Sequence, residues 1–234
     1  MSDAAASDPT SEDAPHVAHG ASAEIPLVHA VTDDTIVVRP NFLERARTVM
    51  RALGPRGALH LRAHIVPAAR LYTLAMELAI IQRESGCWLV MNDRIDIALA
   101  ASARGVQLTS RSMGVADART IASTLMLGAS VHAPESATAA ETDGADWVVA
   151  GHIFDTKSHT GENGRGMSFI QSLLAATRLP VIVIGGVKPH HVAALRVAGV
   201  YGIAAITGIW GAENAEQAAT DYLSAYDTRG GPAD

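Results

Sequence analysis

The sequence predicts an α/β protein folded as a single (β/α)8 TIM barrel, and three observations predict it. The chain has 234 residues, 48% of them apolar, which is enough to bury one large core. Short aliphatic runs alternate with longer amphipathic segments about eight times. Aromatic residues make up only 4%, so Ala, Val, Ile and Leu must fill the interior, as they do in barrels.

The strands are expected over 27–32, 58–62, 88–92, 105–108, 127–131, 147–151, 181–184 and 202–206. These runs are continuously apolar rather than alternating, as expected for parallel strands covered on both faces. Helices are expected over 42–53, 67–84, 94–102, 115–123, 134–142, 168–176, 189–198 and 212–226. Asn41 before Phe42 reads as a cap, and Pro134 and Pro189 sit where a first turn accepts proline. No glycine-rich turn follows the first strand, which disfavours a dinucleotide-binding sheet and leaves the barrel.

The barrel is expected to occupy residues 25–227, between a polar N-terminal tail over 1–24 and a short C-terminal tail over 228–234. The N-terminal segment is rich in Ala, Ser, Asp, Pro and Glu and reads as disordered. It has no basic start followed by an apolar run, so a secretory signal is not expected and the protein reads as cytoplasmic. No window approaches a membrane span. The net charge is −6 and no basic run stands out, which excludes a nucleic-acid partner on electrostatic grounds. The lone Cys87 opens an apolar strand and reads as a small packed hydrophobe.

In such barrels chemistry sits where strands end. Those ends here carry Thr32-Asp33-Asp34, Arg62-Ala63-His64, Asn92-Asp93, Gln107-Leu108-Thr109, Ser130-Val131-His132, Gly151-His152, Gly185-Gly186 and Thr207-Gly208. Gly185-Gly186 after the seventh strand lets backbone N–H groups approach an anion, and Thr207-Gly208 repeats the design one unit later with a hydroxyl. The loops after strands seven and eight are the usual phosphate site of barrels. The bland alternative is that the glycines only make tight turns.

These residues resemble the thiamine phosphate synthase and TenI-like family. The resemblance is carried by Val28-His29-Ala30-Val31-Thr32-Asp33, His60-Leu61-Arg62, Met91-Asn92-Asp93-Arg94, Gly128-Ala129-Ser130-Val131-His132, Gly151-His152-Ile153-Phe154-Asp155-Thr156 and Gly164-Arg165-Gly166, in that order, with the two glycine loops. It implies one of two activities. The synthases join a pyrimidine diphosphate to a thiazole phosphate with loss of pyrophosphate, using magnesium. The TenI-like branch includes a thiazole tautomerase that moves a proton without a metal.

Two positions depart from the synthase pattern. Arg62-Ala63-His64 stands where synthases have Arg-x-Lys, and Ser112 stands where they carry a magnesium-holding carboxylate after the fourth strand. The resemblance is therefore read as implying the tautomerase, an isomerase needing no cofactor. His132 would be the acid/base of a 1,3-proton shift, and an imidazole near its ordinary pKa suits that role. Arg62, Asn92, Ser130, Gly185, Gly186, Thr207 and Gly208 would bind a small phosphorylated thiazole. His64, Asp93, Thr156 and Lys157 are further candidates, with no metal site. The alternatives are the magnesium-dependent synthase, retaining Asp93, or a non-catalytic phosphate-binding regulator. The resemblance also implies a homo-oligomer.

Each histidine has a plain structural alternative. His132 could cap the helix starting at Pro134, His152 could be a hydrogen-bonded structural residue, and His64 could be a solvated loop residue. His190-His191 has no third donor at ligand spacing. Lys157 and His159 lie in the long loop after the sixth strand.

Overall fold

The structure, a computed structural model, describes residues 24–156, 161 and 163–228. Eight parallel strands close into a barrel in sequence order: β1 (Val28–Val31), β2 (Gly57–Leu61), β3 (Trp88–Asn92), β4 (Gly105–Leu108), β5 (Met126–Val131), β6 (Trp147–Gly151), β7 (Val181–Ile184) and β8 (Gly202–Ala205). β8 pairs back on β1 through Ile203 opposite Val28, which closes the sheet. The expected (β/α)8 fold is the observed one.

Alternate residues of each strand face opposite ways, and the two faces build two cores. Outward residues such as Val28, Leu59, Leu89, Val106, Leu127 and Val148 pack under the helices. Inward residues including Val31, Ala58, Trp88, Val90, Trp147, Ile182 and Ala204 fill the lumen. The continuous apolar runs arise because both faces are covered. Cys87 is buried just ahead of β3, as expected of a packed thiol.

The helices are α1 (Asp34–Val37), α2 (Phe42–Leu53), α3 (Ala68–Ser85), α4 (Ile95–Ala101), α5 (Val115–Ile121), α6 (Pro134–Thr142), α7 (Gly166–Ala176), α8 (Val192–Val197), α9 (Thr207–Trp210) and α10 (Ala215–Asp227). Three differ in kind from the sequence reading. The four-residue helices α1 and α9 occupy the loops after β1 and β8, where so short a segment shows no periodicity. The helix expected over 189–198 is a 3-10 turn at Pro189–His191 followed by α8.

Capping also differs in place. Asn41 makes no side-chain cap bond to α2, whereas Asp33 accepts from the Ile36 N–H at 3.0 Å and caps α1. The Ser136 hydroxyl accepts from the backbone N–H groups of His132 and Ala133 at 3.2 and 3.1 Å, so it caps the entry to α6. Among the described residues no helix is long and apolar enough to cross a membrane.

Candidate active site

One cavity of about 850 Å³ opens at the C-terminal ends of the strands. Arg62, Asn92, Ser130, His132, Thr156, Gly185, Gly186, Thr207 and Gly208 all line it, so nine of the positions picked from strand ends converge on one space. His64 and Asp93 are not among its lining residues. Lys157 lies outside the described residues.

Arg62 is placed by Thr32. The Thr32 hydroxyl accepts from the Arg62 N–H and donates to the Arg62 carbonyl, both at 2.9 Å, so the end of β2 is stitched to the end of β1. Asp34 then holds the following loop, its Oδ1 accepting from the backbone N–H groups of His64 and Ile65 at 2.8 Å each. Desolvation pulls the Asp34 pKa up, but those two N–H bonds and the nearby His64 and Arg62 charges outweigh it and hold it low. His64 is thereby fixed by its backbone while its residue stays exposed on the rim.

Past β1, round the barrel, the two glycine loops meet the loop after β6. Gly185 and Gly186 have φ of 97° and 67°, a region side chains disfavour. A Cβ at Gly185 would stand 2.3 Å from the Cβ of His152, and one at Gly186 would stand 2.6 Å from the Asp155 carbonyl. The glycines thus serve loop packing as well as leaving backbone exposed to the cavity. Tyr222 ties this side together: its hydroxyl donates to the Val187 carbonyl at 2.8 Å and fills the space a Cβ on Gly208 would need. Burial pushes that hydroxyl's pKa up to about 12, so it remains a donor.

The loops after β5 and β6 are clamped by Arg165, whose backbone N–H donates to the His152 carbonyl at 3.1 Å and whose guanidinium donates to the His132 carbonyl. Arg165 also lies over the Phe169 ring, 4.6 Å from its centroid, and lines the cavity. Since Ser136 caps α6, His132 is not needed for capping, and its residue is exposed at the mouth.

Sequence reading gave no role to several lining residues. His60, Gln107, Thr109, Arg165 and Lys188 line the cavity as well. His60 and Arg165 stand inside the quoted family segments, and Gln107 and Thr109 in a quoted strand end. The missing signal was which face of each strand turns inward.

A barrel with a polar C-terminal mouth and paired glycine loops defines a class of small-ligand enzymes and binders rather than one protein. The chain belongs to the family described as thiamine monophosphate synthase, whose sequence profile matches residues 28–209. It is 35% identical over 172 residues to a thiamine-phosphate synthase of Pyrococcus horikoshii, covering 73% of this chain and 83% of that one. It is 37% identical over 183 residues to one of Chlorobium luteolum, covering 77% and 86%. A solved thiamine phosphate pyrophosphorylase from Pyrococcus furiosus superposes with a TM-score of 0.75 at 30% identity, covering 86% of this chain and 96% of that one.

These relatives overturn the expectation of an isomerase. They are named synthases, not tautomerases, so the proton-shift role assigned to His132 falls with that expectation. The two departures that favoured the isomerase also weigh less in three dimensions. His64 sits on the exposed rim outside the cavity lining, and Ser112 points its hydroxyl at Asp93 rather than into the lining.

The synthase pattern implies magnesium, and the residues present do not fit a site of the two-carboxylate kind. Asp93 Oδ1 already accepts from the Thr109 N–H at 3.1 Å, the Thr109 hydroxyl at 2.7 Å and the Ser112 hydroxyl. With three donors on one oxygen, Asp93 anchors the turn after β4. Among the described residues no group of three or more His, Cys, Asp or Glu could hold a metal ion.

Proposed function

We propose that this chain is a thiamine-phosphate synthase, a transferase that joins a pyrimidine diphosphate to a thiazole phosphate and releases pyrophosphate. The observation that carries the reading is the cavity of about 850 Å³ at the strand ends, lined both by Arg62 and by Gly185, Gly186, Thr207 and Gly208. A typical ligand pocket spans roughly 300–1,000 Å³, so this one has room for two small substrates. The glycine loops after β7 and β8 suit the thiazole phosphate, through backbone N–H groups and the Thr207 hydroxyl. Arg62 suits the diphosphate, to which a guanidinium can offer two parallel N–H bonds.

In that arrangement the carbon–oxygen bond to the diphosphate breaks and its electron pair leaves with pyrophosphate. The thiazole, held by its own phosphate across the cavity, takes the vacated carbon. Arg62 meets the charge that develops on the leaving group, and the two anchors supply orientation. Asn92 and Ser130 lie between them on the floor and bind the pyrimidine ring. His132, at the mouth, borders the pyrophosphate exit.

The test is to incubate the protein with both substrates and magnesium and follow thiamine phosphate and pyrophosphate together. Equal amounts of the two products, with none from either substrate alone, is the expected result. Binding of both substrates without pyrophosphate release would sink the transferase. It would leave the non-catalytic binder.

A further inference from the structure

The pair His190-His191 has no third donor at ligand spacing, and the proposed reaction uses neither ring. In the structure His191 closes a small ring on the loop after β7. Its backbone N–H donates to the Lys188 carbonyl at 2.9 Å, and its Nδ1 accepts from the Lys188 N–H at 3.1 Å. A ring nitrogen that accepts carries no proton, so His191 is neutral in this arrangement and its proton sits on Nε2. One residue thereby holds both backbone polar groups of Lys188.

His191 is itself held by the loop after β6. Its ring lies against Phe154, with centroids 4.1 Å apart and planes inclined by 31°, and the His190 ring meets it edge-on. The Phe154 N–H donates to the Gly185 carbonyl at 3.0 Å, and the Phe154 Cβ stands 2.8 Å from where a Cβ on Gly186 would be. The Tyr222 hydroxyl fixes the Val187 carbonyl between them. The glycine pair, Lys188 and His191 are therefore one packed unit.

What this unit adds to the cavity is the Lys188 side chain, which lines it together with Gly185, Gly186, Thr207 and Gly208. The Lys188 N–H is taken by His191, so what it can offer an anion is its ammonium. Among the described residues no carboxylate is paired with that ammonium. An uncommitted ammonium beside backbone donors suits a phosphate group, which it meets as a point charge.

We propose that Lys188 is the side-chain anchor of the thiazole phosphate, and that His191 is the positioning residue that holds Lys188 at that site. The inference rests on the proposed function for the identity of the ligand, but not for the presence of a phosphate anchor. A protonated His191 cannot accept at Nδ1, so the hold on Lys188 is lost when the ring charges. Burial lowers the His191 pKa, and its charged neighbours His190 and Lys188 lower it further. Phe154, on the flat side of the ring, carries no charge. The hold therefore persists at neutral pH and is lost only in acid.

The test is calorimetry with the thiazole phosphate and, separately, with inorganic phosphate, so no turnover is needed. Lys188→Gln alters an exposed residue and should weaken both ligands at least ~10-fold, Lys188→Arg should restore most of the loss, and pyrimidine diphosphate affinity should stay within about twofold. At pH 8, His191→Leu should weaken thiazole phosphate binding several-fold, whereas His191→Asn, which keeps an acceptor near the place of Nδ1, should bind like the wild type. At pH 5 the Asn variant should bind more tightly than the wild type, because it cannot charge; comparison at one pH cancels the ligand's own titration. Unchanged phosphate binding in Lys188→Gln would overturn the anchor. A Leu variant equal to the wild type at pH 8, or an Asn variant that tracks the wild type down to pH 5, would overturn the positioning role. Should phosphate binding depend on both residues while no pyrophosphate is released from the two substrates, the transferase reading fails and the anchor stands.

Discussion

The two sides of the cavity are built in different ways. The side formed after β7 and β8 is made largely of backbone: Gly185, Gly186 and Gly208 are needed for close approach, and the Thr207 hydroxyl and Lys188 add side-chain donors. The floor across β1 to β6 is made of side chains whose polarity is set by buried neighbours, His29 behind His60 and Trp147 behind Gln107. Backbone N–H groups recognise any phosphate of the right size. Fixed side-chain amides recognise one order of donors and acceptors. Affinity is therefore assigned to the first side and selectivity to the second.

The largest expected effect breaks the backbone side. Gly185→Val places a side chain at φ 97° and within 2.3 Å of His152, so both strain and overlap oppose it. We expect a loss of roughly 2–4 kcal/mol in urea unfolding and at least tenfold weaker thiazole phosphate binding by calorimetry. Next, Arg62→Ala should cost about 2–3 kcal/mol in diphosphate binding, read as a raised KM for that substrate alone.

The third prediction concerns pH. Burial lowers the His29 pKa from 6.5 to about 4, and it lowers His60 as well, aided by the neighbouring His29 charge. Between those values the unfolded chain binds protons that the folded one refuses, so stability falls as pH drops from 6.5 towards 4. His29 alone should contribute on the order of 3 kcal/mol of that loss. Denaturant midpoints across this window should show it, and His29→Leu should flatten the slope.

Smaller effects sharpen the account of the rim. Ser112→Asp restores a second carboxylate beside Asp93 and should strengthen magnesium binding at least tenfold by titration calorimetry. Unchanged magnesium binding would mean that the turn after β4 cannot open to a metal. His64→Lys acts on an exposed residue, so its expected gain in diphosphate binding is below about 1 kcal/mol.

Much of this was legible in the sequence. Eight aliphatic runs became eight strands because parallel strands covered on both faces need unbroken apolar residues. The glycine pair and the polar strand ends converged on one cavity because βα loops share one face. What could not be read was orientation. His29 and His60 look like polar interruptions of apolar runs until the pairing of Val31 with His60 sets the inward face. His64 and Asp93 looked functional from position alone, yet one is carried outward on the loop pinned by Asp34 and the other is taken up by Thr109 and Ser112. The activity does not follow from the changes at His64 and Ser112, since neither lines the cavity, and it is the named relatives that decide against the isomerase.

The most direct test of a two-sided cavity is steady-state kinetics of Arg62→Ala and Thr207→Val, with KM measured separately for each substrate. The account predicts a split: Arg62→Ala raises KM for the pyrimidine diphosphate, and Thr207→Val raises KM for the thiazole phosphate. If both variants raise both constants alike, the two substrates do not occupy separate sides and the account is wrong.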